Sequence, residues 1–457
     1  MNDRINLTIL PMGLAAFSAA LDNNVLNVCL PIIAGEFNTD IGKVQFVSSS
    51  YVFTICSLLL FFAYVSSAAG RKYVFSAGVG LFSAGSLAAA FSASVPGLII
   101  FRIVQGMGAA MFMANGMALI HSHFSDSVKG RAFGVMFTAT AVASIFGPVA
   151  GGMIASYWGW RTIFLLMVPL GIISSFLALV LLQKEKGDKI KFFDSKGAAS
   201  SICFVLLFFA SFLYLQNGAI KIFILSILLS LGMLYLFVKA QKKALNPIVE
   251  IEIFSQKVIM RANIQAGIIF SIMIGVGVIL PAYIHDSLKY SPAYSGIVLA
   301  SMAGSIFALS YIGGYLADKV GMHRIVSLGT MFVFAGMLVL GCAVYFGMNG
   351  ALFAGNILLG AGIGFFNPAN NKIVMVSVPM KLSATAASIN VLSRNAGIAA
   401  GTTVAGLFYA LLMKIGYGTV MAAFYGLVLF IILSMVVLIS DTLSYIGQRY
   451  IKRQTNV

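Results

Sequence analysis

Charge is scarce in this chain: only 9% of its 457 residues are Asp, Glu, Lys or Arg, and only 13 are acidic. Water-soluble domains carry charge on about a quarter of their residues, so a soluble fold is excluded. Cysteine is nearly absent as well. Cys29, Cys56, Cys203 and Cys342 each stand alone in an apolar stretch, without Cys-x-x-Cys spacing or a small secreted framework, and read as small core hydrophobes. No Gly-x-x-x-x-Gly-Lys phosphate loop occurs, so nothing points to ATP as a driving force. The first residues lead into an apolar segment with no small-residue cleavage site, which reads as a retained first helix.

What the chain has instead is apolar sequence, 60% of all residues. A helix needs about 20 apolar residues to cross the hydrocarbon core, because its backbone polar groups must be paired within the segment. Fourteen stretches qualify, the first at 7–30 and the last at 419–439. The expected fold is therefore an all-α membrane protein of fourteen transmembrane helices. Lys and Arg fall unevenly between them. Alternate loops and both tails hold twenty-two of the 29 basic residues, the other loops hold five, and Arg102 and Arg394 lie inside spans. This asymmetry places both termini in the cytoplasm. The net charge of +16 is spread along the chain and reflects orientation in a bilayer, with no folded basic surface for nucleic acid.

An internal repeat divides the chain. The loop from Ala63 through Gly70, Arg71 and Lys72 is matched by the loop from Gly314 through Asp318 and Gly321 to Arg324. Gly106 and Gly108 are matched by Gly360, Gly362 and Gly364. The expected organisation is two six-helix halves, 1–183 and 258–457, with two inserted helices in 184–257. Secondary transporters are often built from such paired halves, with substrate held near the midplane between them.

Asp22 is the only acid well inside an expected span. Burial disfavours a carboxylate's charge and a nearby cation favours it, so a group opened alternately to either side can load and release a proton. The alternative is a fixed ion pair with Arg102 that joins two helices. Arg102 lies about 8 Å of helical rise from the end of its span, and Gln105 and Gly106 fall near its face.

The residues around these positions resemble the major facilitator superfamily, and within it the fourteen-helix drug/proton antiporters. The matching motifs are Asp22 followed by Val25-Leu-Asn27-Val28-Cys-Leu30-Pro31, Arg102-x-x-Gln105-Gly106-x-Gly108, Gly147-Pro148-Val-Ala-Gly151-Gly152, and Trp158-Gly-Trp160-Arg161. The resemblance implies a bacterial multidrug efflux transporter, multi-pass in the cytoplasmic membrane. It implies antiport sealed by the seam of Gly147, Pro148, Gly151 and Gly152, and a gating loop of Gly70, Arg71, Gly314, Asp318, Gly321 and Arg324. Ser67 stands where the first gating loop has its acid, which is a departure. Asp22, Arg102 and Asp286 are the candidate ion-coupling residues. Asp22, Asp286, Gln105, Tyr51 and Asn367 are the candidate substrate-binding residues.

The expected partners are small amphipathic drugs, cationic or zwitterionic, and the lipid bilayer, with the chain acting as a monomer. No cofactor or metal is expected. The coupling ion is H⁺, or Na⁺ if Asn23, Asn24 and Asn27 add oxygen ligands. Two other readings compete: a nutrient or ion importer of the same fold, and a membrane-embedded lipid enzyme using His121 and His123.

Overall fold

The structure, a computed structural model, describes residues 2–39, 41–184, 194–216, 219–244, 247–250, 252–290 and 292–454. Helices dominate, as a backbone with no water to bond must pair internally. The first six are α1 (Asn2–Glu36), α2 (Ile41–Ala69), α3 (Arg71–Ala90), α4 (Val95–His123), α5 (Lys129–Trp158) and α6 (Arg161–Leu181). Then come α7 (Ser195–Gln216), α8 (Ile220–Lys243) and the short α9 (Glu252–Ser255). The last six are α10 (Lys257–Asp286), α11 (Pro292–Leu316), α12 (Met322–Phe346), α13 (Asn349–Val376), α14 (Ser383–Ile415) and α15 (Thr419–Gln454).

Among the described residues, 12 helical segments are long and apolar enough to cross a membrane, against fourteen stretches counted in the sequence. The difference lies in two places. The 30-residue α5 is not among the 12. One of the 12, Tyr294–Phe346, is a 53-residue run that joins α11 to α12 through a π turn at Ala317–Gly321. That run is not straight. Gly321 has φ 110°, and Gly313 and Gly329, sixteen residues apart, both press on α13. A Cβ at Gly313 would fall 2.8 Å from the Gly364 carbonyl, and one at Gly329 2.8 Å from that of Gly362. A straight helix would hold the two glycines about 24 Å apart, so the chain reverses at Gly321.

The same contacts occur twice in the molecule. Gly70 (φ 89°) precedes α3 as Gly321 precedes α12. Eight residues further on, Gly78 meets Gly108 and Phe112 of α4, while Gly329 meets Gly362 and Phe366 of α13. Fifteen residues further on, Gly85 meets Gln105 and Gly336 meets Leu359. Likewise Gly151 of α5 packs on Val25 of α1, and Gly401 of α14 packs on Ser271 of α10. Small residues let the backbones approach closely where hydrocarbon provides no hydrophobic drive between helices. Between the two sets, α7 and α8 pack on each other, and α7 also on α2 and α14.

Candidate functional site

Four helices enclose Asp22. It sits on α1 and is fully buried, as are Arg102 and Gln105 of α4. Arg102 Nη1 donates to Asp22 Oδ2 at 2.6 Å and to Gln105 Oε1 at 2.6 Å. Gln105 Nε2 donates to Asp22 Oδ1 at 3.0 Å and to Ser86 Oγ of α3 at 2.8 Å. From α2, the Val47 carbonyl accepts from Arg102 Nε at 3.2 Å, and the Tyr51 ring lies 4.1 Å from the guanidinium carbon. Each carboxylate oxygen thus has a donor, and the cation lies over an aromatic face.

Sequence explains why the helices close this tightly. A Cβ at Gly85 would fall 2.7 Å from the Gln105 amide nitrogen, and one at Gly106 would fall 2.9 Å from the Tyr51 carbonyl. Two polar atoms in the cluster, Arg102 Nη2 and the Tyr51 hydroxyl, are buried without a hydrogen-bond partner among the described residues. The arrangement has no copy in the second set of helices. There, Leu359 occupies the position of Gln105 and Asn356 that of Arg102, while the Val25–Ser271 match sets Ile268 against Asp22.

The expected gating loop forms a second cluster at one end of the bundle. Asp318 is buried in the turn after α11 and accepts from the backbone amides of Gly130 (2.8 Å) and Arg131 (3.0 Å) and from Lys372 Nζ (2.8 Å). Those amides belong to the first turn of α5, where helix N–H groups lack partners within their own helix. Asp318 therefore caps α5 from a distant element. At the same end, Arg71 Nη2 reaches the Met380 carbonyl at 2.5 Å. Ser67 bonds within its own helix, to the Tyr64 carbonyl at 2.7 Å. Arg324 is exposed at the start of α12.

The other end carries a different tie. Glu36 Oε2 accepts from Trp160 Nε1 at 2.6 Å and Glu36 Oε1 from Arg161 Nη1 at 2.5 Å, joining α1 to the start of α6. The Arg161 guanidinium holds the Glu36 carboxyl below the ordinary carboxylate range.

Asp22, Arg102, Gln105 and Tyr51 are thus brought together, whereas Asp286 is not. Asp286 lies at the far end of α10, 42% exposed, with His285 Nδ1 at 3.0 Å and the Tyr409 hydroxyl at 3.4 Å. Asn367 is buried in α13, in the same helix as Lys372. Gly147 and Gly151 face α1, a Cβ at Gly151 falling 2.5 Å from Val25 Cγ1. Pro148 and Gly152 lie in α5, but their side chains, like that of Asn27, are outside the described set. Asn24 turns away from Asp22, donating to Ala20 O and Ser144 Oγ.

Sequence reasoning missed Lys372, which counted as a loop charge because α13 was expected to end at Asn370. The helix continues to Val376 and buries it. It missed the Gly130 and Arg131 amides as well, since backbone donors leave no side-chain signal. A cavity of about 410 Å³ opens between α7, α10 and α14, lined mainly by apolar groups such as Phe208, Ile264 and Ile389; none of the candidate substrate residues lines it.

A polytopic helical bundle with a buried charge cluster, repeated glycine seams and a second charged tie at one end has the build of a membrane transporter. The Major Facilitator Superfamily profile matches residues 12–402 and again 262–452. The chain belongs to that superfamily; it is a transporter and not an enzyme. Riboflavin transporter RibZ of Clostridioides difficile is 26% identical over 412 residues, covering 88% of each chain. Multidrug resistance protein Stp of Mycobacterium tuberculosis is 25% identical over 409 residues, covering 89% of this chain and 76% of Stp. Drug efflux pump JefA of the same species is 26% identical over 372 residues, covering 80% and 72%. The fold resembles the solved proton:xylose symporter XylE with a TM-score of 0.68 at 14% identity, covering 95% of each chain. The human organic anion transporter MFSD10 gives 0.66 at 13%, covering 95% of this chain and 98% of that one.

Proposed function

We propose that the chain is a proton-coupled exporter of amphipathic small molecules in the bacterial cytoplasmic membrane. The observation that carries this reading is the fully buried Asp22, held by Arg102 and Gln105. A carboxylate between a cation and an amide exchanges its partners when it is protonated, and this couples ion binding to helix movement. The membrane potential supplies about 2.3 kcal/mol per charge per 100 mV, which drives accumulation without ATP. Export as the direction is supported by the Gly147 and Gly151 seam against α1 and by the likeness to two named efflux proteins.

The same reading has the chain crossing the membrane fourteen times, as two six-helix halves with α7 and α8 inserted and both termini in the cytoplasm. Support comes from the reversal at Gly321, which makes two crossings of the 53-residue run. It comes too from α5, whose two ends touch α11 and α1 through Gly130 and Gly151. The latch of Asp318 and Lys372 is then cytoplasmic.

The test is ethidium efflux in vesicles under separately imposed proton and sodium gradients, with wild type and Asp22→Asn. Efflux driven by the proton gradient and lost in the inserted variant is expected. Coupled efflux that survives the substitution sinks the assignment, and efflux driven only by sodium replaces the ion. A second reading, movement of a heteroaromatic vitamin, is favoured by the likeness to RibZ; riboflavin flux measured in the same vesicles decides it.

A further inference from the structure

Arg102 has an acid to match its charge, but the second arginine within the spans does not. Arg394 lies eleven residues into α14, about 17 Å of helical rise from its start and so near mid-membrane. Its guanidinium carbon stands 5.5 Å from the ring of Phe137 on α5 and 5.5 Å from that of Phe270 on α10. One ring comes from each set of helices. The side chain is half-buried, and among the described residues it makes neither a hydrogen bond nor an ion pair. The buried acids Asp22, Asp318 and Asp441 are engaged elsewhere, by Arg102, Lys372 and Ser327 respectively.

The matching place in the first set of helices holds no cation. The match of Gly397 and Gly401 to Gly147 and Gly151 sets Ser144 as the first-set counterpart of Arg394, and Ser144 makes only neutral bonds, accepting from Asn24 and donating to the Thr140 carbonyl. An ionised side chain inside a membrane protein faces protein or a watery cavity and marks a pathway or a ligand. Arginine offers a planar fork of donors that fits a carboxylate in a two-bond geometry. The flanking rings supply flat apolar surfaces.

We propose that Arg394, between Phe137 and Phe270, is the receptor for the carboxylate of a planar aromatic substrate. The inference rests on the export reading and narrows it: the preferred cargo carries an anionic group and is zwitterionic or acidic, and a simple cation uses the pathway without this contact.

The test measures equilibrium binding of three probes to the purified full-length protein: norfloxacin, its decarboxylated analogue, and ethidium. Arg394→Gln is expected to weaken norfloxacin by about tenfold or more, while the other two change by less than about twofold. Arg394→Lys, which keeps the charge and loses the fork, falls between. It also carries the test if the Gln variant does not insert. Unchanged norfloxacin binding in Arg394→Gln overturns the proposal, as does an equal loss of all three probes or a wild type that binds norfloxacin no better than its decarboxylated analogue. The two readings fail separately. Selective binding through Arg394 without proton-driven efflux removes the export reading, whereas ethidium efflux without carboxylate discrimination removes this one.

Discussion

Gly130 and Gly314 meet backbone to backbone, each filling the space into which a Cβ on the other would project. The contact lets the start of α5 lie against the end of α11, close enough for Asp318 to accept the Gly130 and Arg131 amides. Any side chain at either glycine holds these elements apart.

Gly314→Val is therefore expected to insert normally but to cut export by about tenfold, the factor that corresponds to 1.4 kcal/mol. A reporter cysteine at Ser310, which is fully buried on the same seam, checks the cause. With the native cysteines replaced, a water-soluble maleimide should label it faster in the Val variant than in its absence.

Asp318 and Lys372 are both buried, at 3% and 9% side-chain exposure. Asp318→Asn leaves an ammonium without its anion, and breaking a buried pair in this way costs about 3–5 kcal/mol. Lowered thermal stability in detergent is expected. Lys372→Met added to Asp318→Asn should recover part of the loss, and strict additivity of the two would argue against a coupled pair.

Gly151→Ala places its methyl 2.5 Å from Val25 Cγ1 and 3.2 Å from Val25 Cα. Overpacking of this kind costs about 1–3 kcal/mol. The single substitution should lower stability and let protons leak, followed with a pH-sensitive dye in liposomes. Val25→Ala in the same chain should restore a tight seam. Leak unaffected by the second change would show that the seam does not seal against ions.

Glu36 gives a pH dependence with a defined sign. Its carboxyl is held low mainly by the Arg161 bond, so the tie stabilises the fold above the unfolded value, about 4.3, and is lost as pH falls through the lowered folded value. Both partners are more than a third exposed, and solvent screening keeps the effect small. Melting temperatures of wild type and Glu36→Gln should differ at neutral pH and converge as the pH falls from the unfolded value through the lowered folded one.

The parts legible in the sequence were those with local signals. Asp22 and Arg102 stand out because charge inside an apolar span is rare, and Gln105 follows from its three-residue spacing to Arg102. The glycines of both gating loops could be read as a repeat. Contacts set by which helices become neighbours could not. Tyr51 carries no mark that its ring will lie over Arg102, and nothing beside Asp318 announces that its donors are amides of α5. Asp286 was a candidate for ion coupling and substrate binding, at the end of an expected span. The end of α10 leaves it with His285 and Tyr409, and neither belongs to the Asp22 cluster. The helix count from apolar runs and the 12 segments found in the folded chain part at α5 and at Gly321, where Asp318, Lys319, His323 and Arg324 mark the reversal in the sequence although the helical run continues through it.

The two ties at the Asp318 end differ in what they join. Asp318 engages two amides of α5 and the ammonium of Lys372 on α13, while Arg71 donates to the Met380 carbonyl, and both are bonds with an ionised partner. On the export reading the two sets of helices part here, and Asp318 then leaves the two amides of α5 but keeps Lys372, which belongs to its own set. The charge of Asp318 stays matched throughout the opening, so the mouth separates without leaving a bare carboxylate at its rim.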